Sequence, residues 1–536
     1  MPLIQTADIV PGGISTPQGI QPLPFHSQHQ LYNGLDCCVT LEVWERLTTL
    51  RNEWPGIYQF ERALQAPYLE IINRGFLVDS SAKFAAVTKL RERMVLLEGT
   101  LNTLAQGMWR KNLNPRSPAQ LKDFFYRELG LPEIWLSQKG VKKLSTNREA
   151  LEKLDTYMLA RPFINCILAI RDIGKQLSVL ESEIDPDGRF RTSYNIAGTE
   201  SGRPSSSTSA FGTGGNAQNI APGLRYVFIA DRGMKLCVID LEQVEARDVG
   251  FFIGCLFDDW KLLDSCESGD LHTNNAKLIW PELPWTHDPR LDREIANQIF
   301  YRDFSYRDMA KRGSHLSNYS GTAWTAARAL KVPQPMMEEF QARYCRGGRG
   351  PDGKEISPAF PGIPRWWQWT ATQLQLESRL ITPFGRERLF FGRPGDPETL
   401  REAIAFNPQS TTADRMNLGL WRVWHKMPQV QLLAQTFDSI TFQAPDDQTF
   451  DENVGEALAL ISVELIAPSG RKYVVPGEAK VGWNWGNCVT KSDQDRARAQ
   501  NRTIPRLNPE GLVKWKPGGD SRKRQIGFQS LAGMHS

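Results

Sequence analysis

Cysteine is sparse and unpatterned in this chain. Cys37 and Cys38 are adjacent, while Cys166, Cys237, Cys255, Cys266, Cys345 and Cys488 stand alone, and no Cys-x-x-Cys occurs. That usage argues against a zinc ribbon or a disulfide scaffold and favours a reducing compartment. No apolar stretch reaches the ~18 residues of a membrane span. The first residues, MPLIQTADIVPGG, lack the basic start and apolar core of a secretory leader. Neither sign of charge is in excess: 64 Lys+Arg face 60 Asp+Glu, a net of +4. Bulk charge therefore points to neither nucleic acid, nor membrane, nor an acidic substrate. No repeat recurs at a fixed period. What remains is an ordinary composition, 40% hydrophobic and 23% charged over 536 residues. It excludes a disordered chain or a collagen-like fibre and allows two to four domains. The expectation is a soluble, intracellular, cytoplasmic protein.

Along the chain, the first ~30 residues show no periodicity and read as an arm or loop. Leu35–Leu50 is predicted helical, because Leu35, Val39, Val43 and Leu47 recur every four residues. Residues 60–180 read as mostly helical, with Gly75 a C-terminal stop and Ser80 an N-cap. The stretch GTESGRPSSSTSAFGTGGNAQN is rich in Gly and Ser, but its Arg203, Gln218 and Asn219 favour an irregular functional loop over a linker. MKLCVID is of strand length and leads into a helix start. Residues 255–400 again read as mostly helical, and a helix–strand–strand segment follows. The order suggests a discontinuous central domain with a helical one inserted.

Three elements could carry chemistry. Asp240 ends a strand in which Leu236, Val238 and Asp240 share one face, since strand side chains alternate. Asp438 lies at a hairpin tip between QLLAQT and ITF. Alone, either acid reads equally as a turn former. In SYRDMAKRGSHLSNYSGT, Arg307, Lys311, His315 and Tyr319 recur every four residues, one drifting helix face spanning about 18 Å. A solvated basic stripe would look similar. The order cation, cation, ring, ring instead suits a triphosphate at one end and a stacked base at the other.

Together these motifs resemble family A DNA polymerases. Asp240-Leu-Glu-Gln-Val-Glu-Ala-Arg is similar to that family's first catalytic block, Arg307-x3-Lys311-x7-Tyr319 to its fingers helix, and Gln-Thr-Phe-Asp438-Ser to its third motif. SGRPSS with NAQNI, GDLHT and QSTTAD resemble further motifs in the same order, as do ERALQAPYLEIINRGFLVD and NPRSPAQLKDFF in the thumb region. The ordered set, over about residues 32–488, is specific where each motif alone is weak.

The resemblance implies an α+β right-hand fold: palm with antiparallel sheet, helical fingers and thumb. It divides the chain into an arm with an exonuclease-like remnant (1–60), thumb (61–190), palm (191–260 and 401–490), fingers (261–400) and a basic C-terminal tail (491–536). It implies primer-dependent, template-directed DNA synthesis in replication, with primer-template DNA and dNTPs as partners and two Mg²⁺ ions, replaceable by Mn²⁺, as cofactors. Asp240, Asp438 and the Leu241 carbonyl would be the metal ligands. Arg307, His272 and Lys311 would hold the triphosphate, with Lys311 a proton donor to the leaving pyrophosphate. Glu245 would crowd a 2′-hydroxyl, Tyr319 would guard the template base and hydrogen-bond towards Glu245, and Gln243 and His315 would lie at the nucleotide. Arg203 and Gln409, with Gln218 and Asn219, would read minor-groove acceptors, and Arg401 would contact template.

The departures are specific. His315 and Leu316 replace the family's aromatic and Gly, and Phe437-Asp438-Ser439 replaces His-Asp-Glu. The accessory carboxylate is thus missing, and Glu242 is the acid nearest in sequence to take its place. FNPQS does not align well enough for Asn407 to inherit a role. Tyr32-x3-Asp36 resembles the last motif of a 3′–5′ exonuclease, but no Asp-x-Glu precedes it, so no proofreading is expected. An exonuclease or processivity factor would then be separate, compatible with a phage or viral replication gene. Residues 471–536 hold 13 Lys+Arg against 5 Asp+Glu, which makes the tail a solvated segment or a DNA-holding one. Two other readings compete: a single-subunit RNA polymerase-like enzyme, and a catalytically degenerate DNA-binding replication factor.

Overall fold

The computed structural model describes residues 9–10, 12–50, 56–138, 141–209, 212–286, 288–301, 304–350, 353–499, 503–519 and 522. The chain divides at Arg62/Ala63 into two units. In the first, β1 (Ile9–Val10), β2 (Gly13–Thr16) and β3 (Gly19–Pro22) form an antiparallel meander. The arm read from sequence as loop is therefore paired; its strands, two to four residues long, are too short to show a two-residue alternation. Helix α1 (Phe25–Leu50) starts ten residues before the predicted Leu35, because its polar opening HSQHQ carries no apolar period. Leu35 is buried, whereas Val39, Val43 and Leu47 are exposed.

Beyond it, α2 (Gly56–Arg74) ends at Gly75, whose N–H donates to the Ile71 carbonyl at a φ of +61°. This is the left-handed stop that glycine adopts without steric cost. Asp79, not the predicted Ser80, caps α3 (Ser80–Trp109): its extended backbone aims the carboxylate at the Ala82 N–H, 2.9 Å away. Helix α3 packs on α4 (Arg161–Leu180), and Leu101, Phe124, Phe163 and Ile167 fill the space between them and the intervening turns.

The central element is a five-stranded antiparallel sheet assembled from distant segments. Strand β4 (Met234–Leu241) leads into α5 (Val244–Phe257), and α6 (Leu271–Ile279) and α7 (Tyr306–Asn318) follow. A small hairpin, β5 (Arg379–Ile381) with β6 (Glu387–Leu389), precedes the 30-residue α8 (Pro397–Lys426). Strands β7 (Gln431–Thr436), β8 (Ser439–Pro445) and β9 (Gly477–Gly482) complete the core of the sheet. Helix α9 (Lys491–Ala499) and β10 (Val513–Lys514) come last, and the strand order is β7-β8-β4-β9-β10. On β4, Cys237, Ile239 and Leu241 are buried on one face. Along the other, Leu236 is buried, Val238 half-buried and Asp240 exposed, so this face opens to solvent as the strand ends.

Behind the sheet, Asp248 on α5 and Arg415 on α8 form a fully buried ion pair at 3.0 Å. Thr412 and Tyr473 donate further hydrogen bonds to the carboxylate, at 2.9 Å each. Arg415 Nη1 also donates to the Val463 carbonyl at 2.6 Å, which leaves Nε as the guanidinium nitrogen without a partner.

The segment read as a basic tail contains α9 and, within residues 503–519, β10. Strand β10 extends the sheet by pairing Lys514 with Lys480 and Val513 with Val481. Trp515 Nε1 donates to Asp451 at 2.9 Å, and Lys514 Nζ pairs with Glu478 at 2.6 Å. Its polar composition hid a two-residue strand whose partner lies more than thirty residues upstream. The end of the basic run, residues 523–536, lies outside the described residues.

Candidate active site

The two acids meet because β4 and β8 pair in register. Asp240 lies opposite Ser439, directly after Asp438, and the Leu241 N–H donates to the Asp438 carbonyl at 3.1 Å. Phe437 and Asp438 form the two-residue tip of the β7–β8 hairpin, where Phe437 takes a φ of +55°. A positive φ there belongs to the primed turns that fit strand twist, and a phenylalanine holds it at some strain. Gln435 Nε2 braces the turn by donating to the Phe437 carbonyl at 2.5 Å.

Burial at the foot of the cleft, reinforced by the Asp438 charge, pushes the Asp240 carboxyl up to about 7, although its side chain remains open to solvent. Burial and the Glu245 charge also raise Asp438. Two hard-oxygen acids brought together, one of them raised by the other's charge, are a donor set suited to divalent cations. Glu242, the further acid named from sequence, lies two residues beyond Asp240. Its N–H bonds the Pro476 carbonyl, and it is Glu478 on β9 that stands opposite Asp240. Lys514 and Lys480 both pair with Glu478. Among the described residues no three acids, histidines or cysteines gather closely enough to hold an ion by themselves.

Glu245, on the first turn of α5, joins three segments. Arg203 Nη2 donates to Oε1 at 2.7 Å, Tyr319 Oη donates to Oε2 at 2.8 Å, and His315 Nδ1 stands 3.8 Å from Oε2. The bond expected between Tyr319 and Glu245 is present. Burial and the Glu245 charge raise the Tyr319 phenol, so it stays a donor. His315 is exposed and meets the Tyr319 ring edge-on at 5.4 Å. Gln243, between Asp240 and Glu245, takes a left-handed φ of +55°, and its buried Oε1 has no protein partner. The buried Arg203 Nε is likewise unpartnered.

Helix α7 begins at Ser305, whose hydroxyl accepts the Asp308 N–H while bonding its carboxylate, a reciprocal cap. Met309, Ala310, Gly313, Ser314 and Ser317 form the buried face, leaving Arg307, Lys311 and His315 on the open one. The helix ends at Asn318, so Tyr319 is its C-cap. At its start, Arg307 makes two bonds to Asp270, at 3.0 and 2.9 Å. Asp270 also caps α6, which carries His272. Burial, with Arg307 and Lys311 nearby, lowers His272 to about 4, and its buried Nδ1 is unpartnered. Asp270 belongs to the GDLHT motif, where sequence singles out His272 alone; only the bidentate geometry of the acid reveals its role.

The remaining residues spread outward. Gln218 is engaged within the protein, accepting from Ser206 at 2.9 Å and donating to the Pro204 carbonyl at 3.2 Å. Asn219 is exposed. Gln409 is half-buried on α8, and Arg401 lies eight residues earlier, about 12 Å along the helix axis, at an open cavity it shares with Glu200, Arg388 and Phe391. The Asn407 side chain is buried with its Oδ1 unpaired.

Known proteins match most of this chain. A thermostable DNA polymerase I of Thermus aquaticus is 28% identical over 461 residues, 82% of this chain and 48% of that protein. DNA polymerase I of Pseudomonas aeruginosa is 26% identical over 491 residues, 85% of this chain and 47% of that protein. The chain thus spans about half the length of the curated relatives it matches. Among solved structures, the POL domain of Pol1 from M. smegmatis, in complex with DNA primer-template and dNTP, aligns with a TM-score of 0.62 at 20% identity. That alignment covers 79% of this chain and 69% of the other, and identifies the α+β right-hand polymerase fold. The family model for DNA polymerase family A matches residues 85–487. The chain belongs to DNA polymerase family A.

Proposed function

We propose that this chain is a primer-dependent, template-directed DNA polymerase that adds deoxynucleotides to a primer 3′-hydroxyl. The observation that carries the reading is the pairing of Asp240 with the Asp438 turn, together with the bond by which Tyr319, at the end of the helix that bears Arg307 and Lys311, reaches Glu245 five residues beyond Asp240. Asp240 and Asp438, with the Leu241 carbonyl, would hold two divalent ions, Mg²⁺ or in its place Mn²⁺. When bound, these lower the pKa of the 3′-hydroxyl and neutralise charge on the departing pyrophosphate. Arg307, Lys311 and neutral His272 would grip the triphosphate, and Lys311 would give the leaving group its proton. Glu245, fixed by Arg203 and Tyr319, would exclude a 2′-hydroxyl by occupying its place. His315 and Gln243 would border the incoming nucleotide. Arg203 and Gln409, with Asn219 and the loop braced by Gln218, would read minor-groove acceptors common to correct pairs, and Arg401 would touch template.

In domain terms, residues 61–190 would be thumb, 191–260 and 401–490 palm, and 261–400 fingers, after an N-terminal 1–60 segment. The narrower reading is a cytoplasmic replication enzyme of phage or viral type that relies on a separate exonuclease or processivity factor. Primer extension with dNTPs against rNTPs tests the polymerase reading, and release of labelled nucleotides from a mismatched primer end tests the absence of proofreading. Preferential rNTP use would overturn the first, and nucleotide release the second.

A further inference from the structure

The loop that delivers Arg203 to Glu245 packs against a buried ion pair. Arg386, at the turn of the β5–β6 hairpin, donates from Nε to Asp414 Oδ2 at 3.0 Å and from Nη2 to Oδ1 at 2.7 Å. Both side chains are buried, Asp414 completely. The guanidinium lies flat against Gly202. A Cβ built on that glycine would stand 2.4, 2.5 and 2.6 Å from Arg386 Cζ, Nε and Nη2, and three near-equal distances mean contact with the plane rather than an edge. Gly202 also takes a φ of +75°, which a side chain would strain. Its carbonyl accepts from Asn417 Nδ2 at 3.2 Å, and Asn417 in turn accepts from the Tyr68 hydroxyl at 2.8 Å. Arg388, two residues beyond Arg386, pairs with Glu200 in the same loop.

A buried ion pair contributes little net stability compared with apolar packing. Its geometry, by contrast, is rigid and bidentate. We propose that Arg386, clamped by Asp414, is a positioning residue: it sets the Gly202–Arg203 backbone so that Arg203 reaches both Glu245 and the primer-terminal base pair. The proposal rests on the polymerase reading of Arg203. It extends that reading to a pair buried within the protein.

Arg386→Lys keeps the charge and loses the fork, while Gly202→Ala keeps both charged partners and forces the loop and the guanidinium plane apart. The measurement is the ratio of single-nucleotide extension rates from matched and mismatched primer ends, for each variant, for Arg203→Ala, and for each variant combined with Arg203→Ala. Melting temperatures are recorded alongside. The expected result is about a tenfold loss of the ratio in Arg203→Ala, a comparable loss in Arg386→Lys and Gly202→Ala, and no further loss in the combinations. Should Arg386→Lys unfold at the assay temperature, Gly202→Ala, which leaves no buried charge unpaired, decides the matter. A changed ratio in Arg203→Ala with a parental ratio in the folded variants overturns the positioning role. So do losses that add in the combinations, which would mark general damage. An unchanged ratio in Arg203→Ala itself overturns the reading of Arg203 on which the proposal stands, and the proposal with it.

Discussion

The hydroxyl of Tyr319, at the end of α7, donates to Glu245 Oε2 at 2.8 Å, joining that helix to the first turn of α5, just beyond the strand that carries Asp240. Arg203 holds the other oxygen at 2.7 Å. Shape and charge at Glu245 can therefore be separated. Glu245→Gln keeps the volume that would exclude a ribose and is expected to retain dNTP preference, with kcat/KM lowered about tenfold as a charge-assisted bond weakens. Glu245→Ala is expected to lose both the preference and the efficiency. Single-nucleotide incorporation with paired dNTP and rNTP measures the split, and equal preference loss in both variants would contradict it.

The Asp270–Arg307 pair makes a second case. Burial alone would raise the Asp270 carboxyl, but its bonds to Arg307 hold it below the usual range. Asp270→Asn leaves Arg307, Lys311 and the helix start less neutralised but less precisely aimed. Pyrophosphate is expected to inhibit at roughly threefold lower concentration, while kcat falls about tenfold. Weaker pyrophosphate inhibition would contradict a role of Asp270 in partly neutralising Arg307.

His272 gives a pH dependence with a definite sign. Its value near 4 in the folded chain lies below the ~6.5 of an unfolded histidine. Between those values the unfolded chain binds the extra proton, so stability rises with pH through the window and falls as pH drops from about 6.5 to 4. His272→Gln is expected to flatten that part of the curve, seen as a smaller loss of urea midpoint between pH 7 and pH 5 than in the parent. Parallel curves would remove His272 as a contributor.

The C-terminal residues are expected to act on stability. Ending the chain at Thr490 removes β10 from the β9 edge, the Trp515–Asp451 bond and the Lys514–Glu478 pair. The melting temperature should fall by about 5 °C. The salt dependence of template binding should stay near that of the full chain. An unchanged melting temperature with altered salt dependence would return the segment to a solvated, DNA-holding tail.

Local pattern carried much of this molecule. The four-residue recurrence of Arg307, Lys311, His315 and Tyr319 identified a helix face, and the alternation around Asp240 identified a strand, because both depend on neighbours in sequence. The register that sets Asp438 beside Asp240, and Glu478 opposite it, depends on pairing between segments some 200 residues apart, which no local period encodes. The cap at Asp79 rather than Ser80 turned on backbone angles open to either residue. The pairs Arg307–Asp270 and Arg386–Asp414 were hidden for another reason: each acid lies in a recognisable motif, but its partner is 37 and 28 residues away. The exposed Val39, Val43 and Leu47 show the converse, a legible period without the burial it usually implies.

Asp240 and Asp438 are proposed to form one nucleotidyl-transfer centre, and every other role assigned to the cleft depends on it. Extension of a primed template by the purified chain with dNTPs and Mg²⁺, beside Asp240→Ala and Asp438→Ala, tests it directly. The expected result is extension by the parent and at least a thousandfold loss in each variant, with folding and primer-template binding retained. Equal extension by parent and either variant, or none by the parent with Mg²⁺ or Mn²⁺, would contradict it.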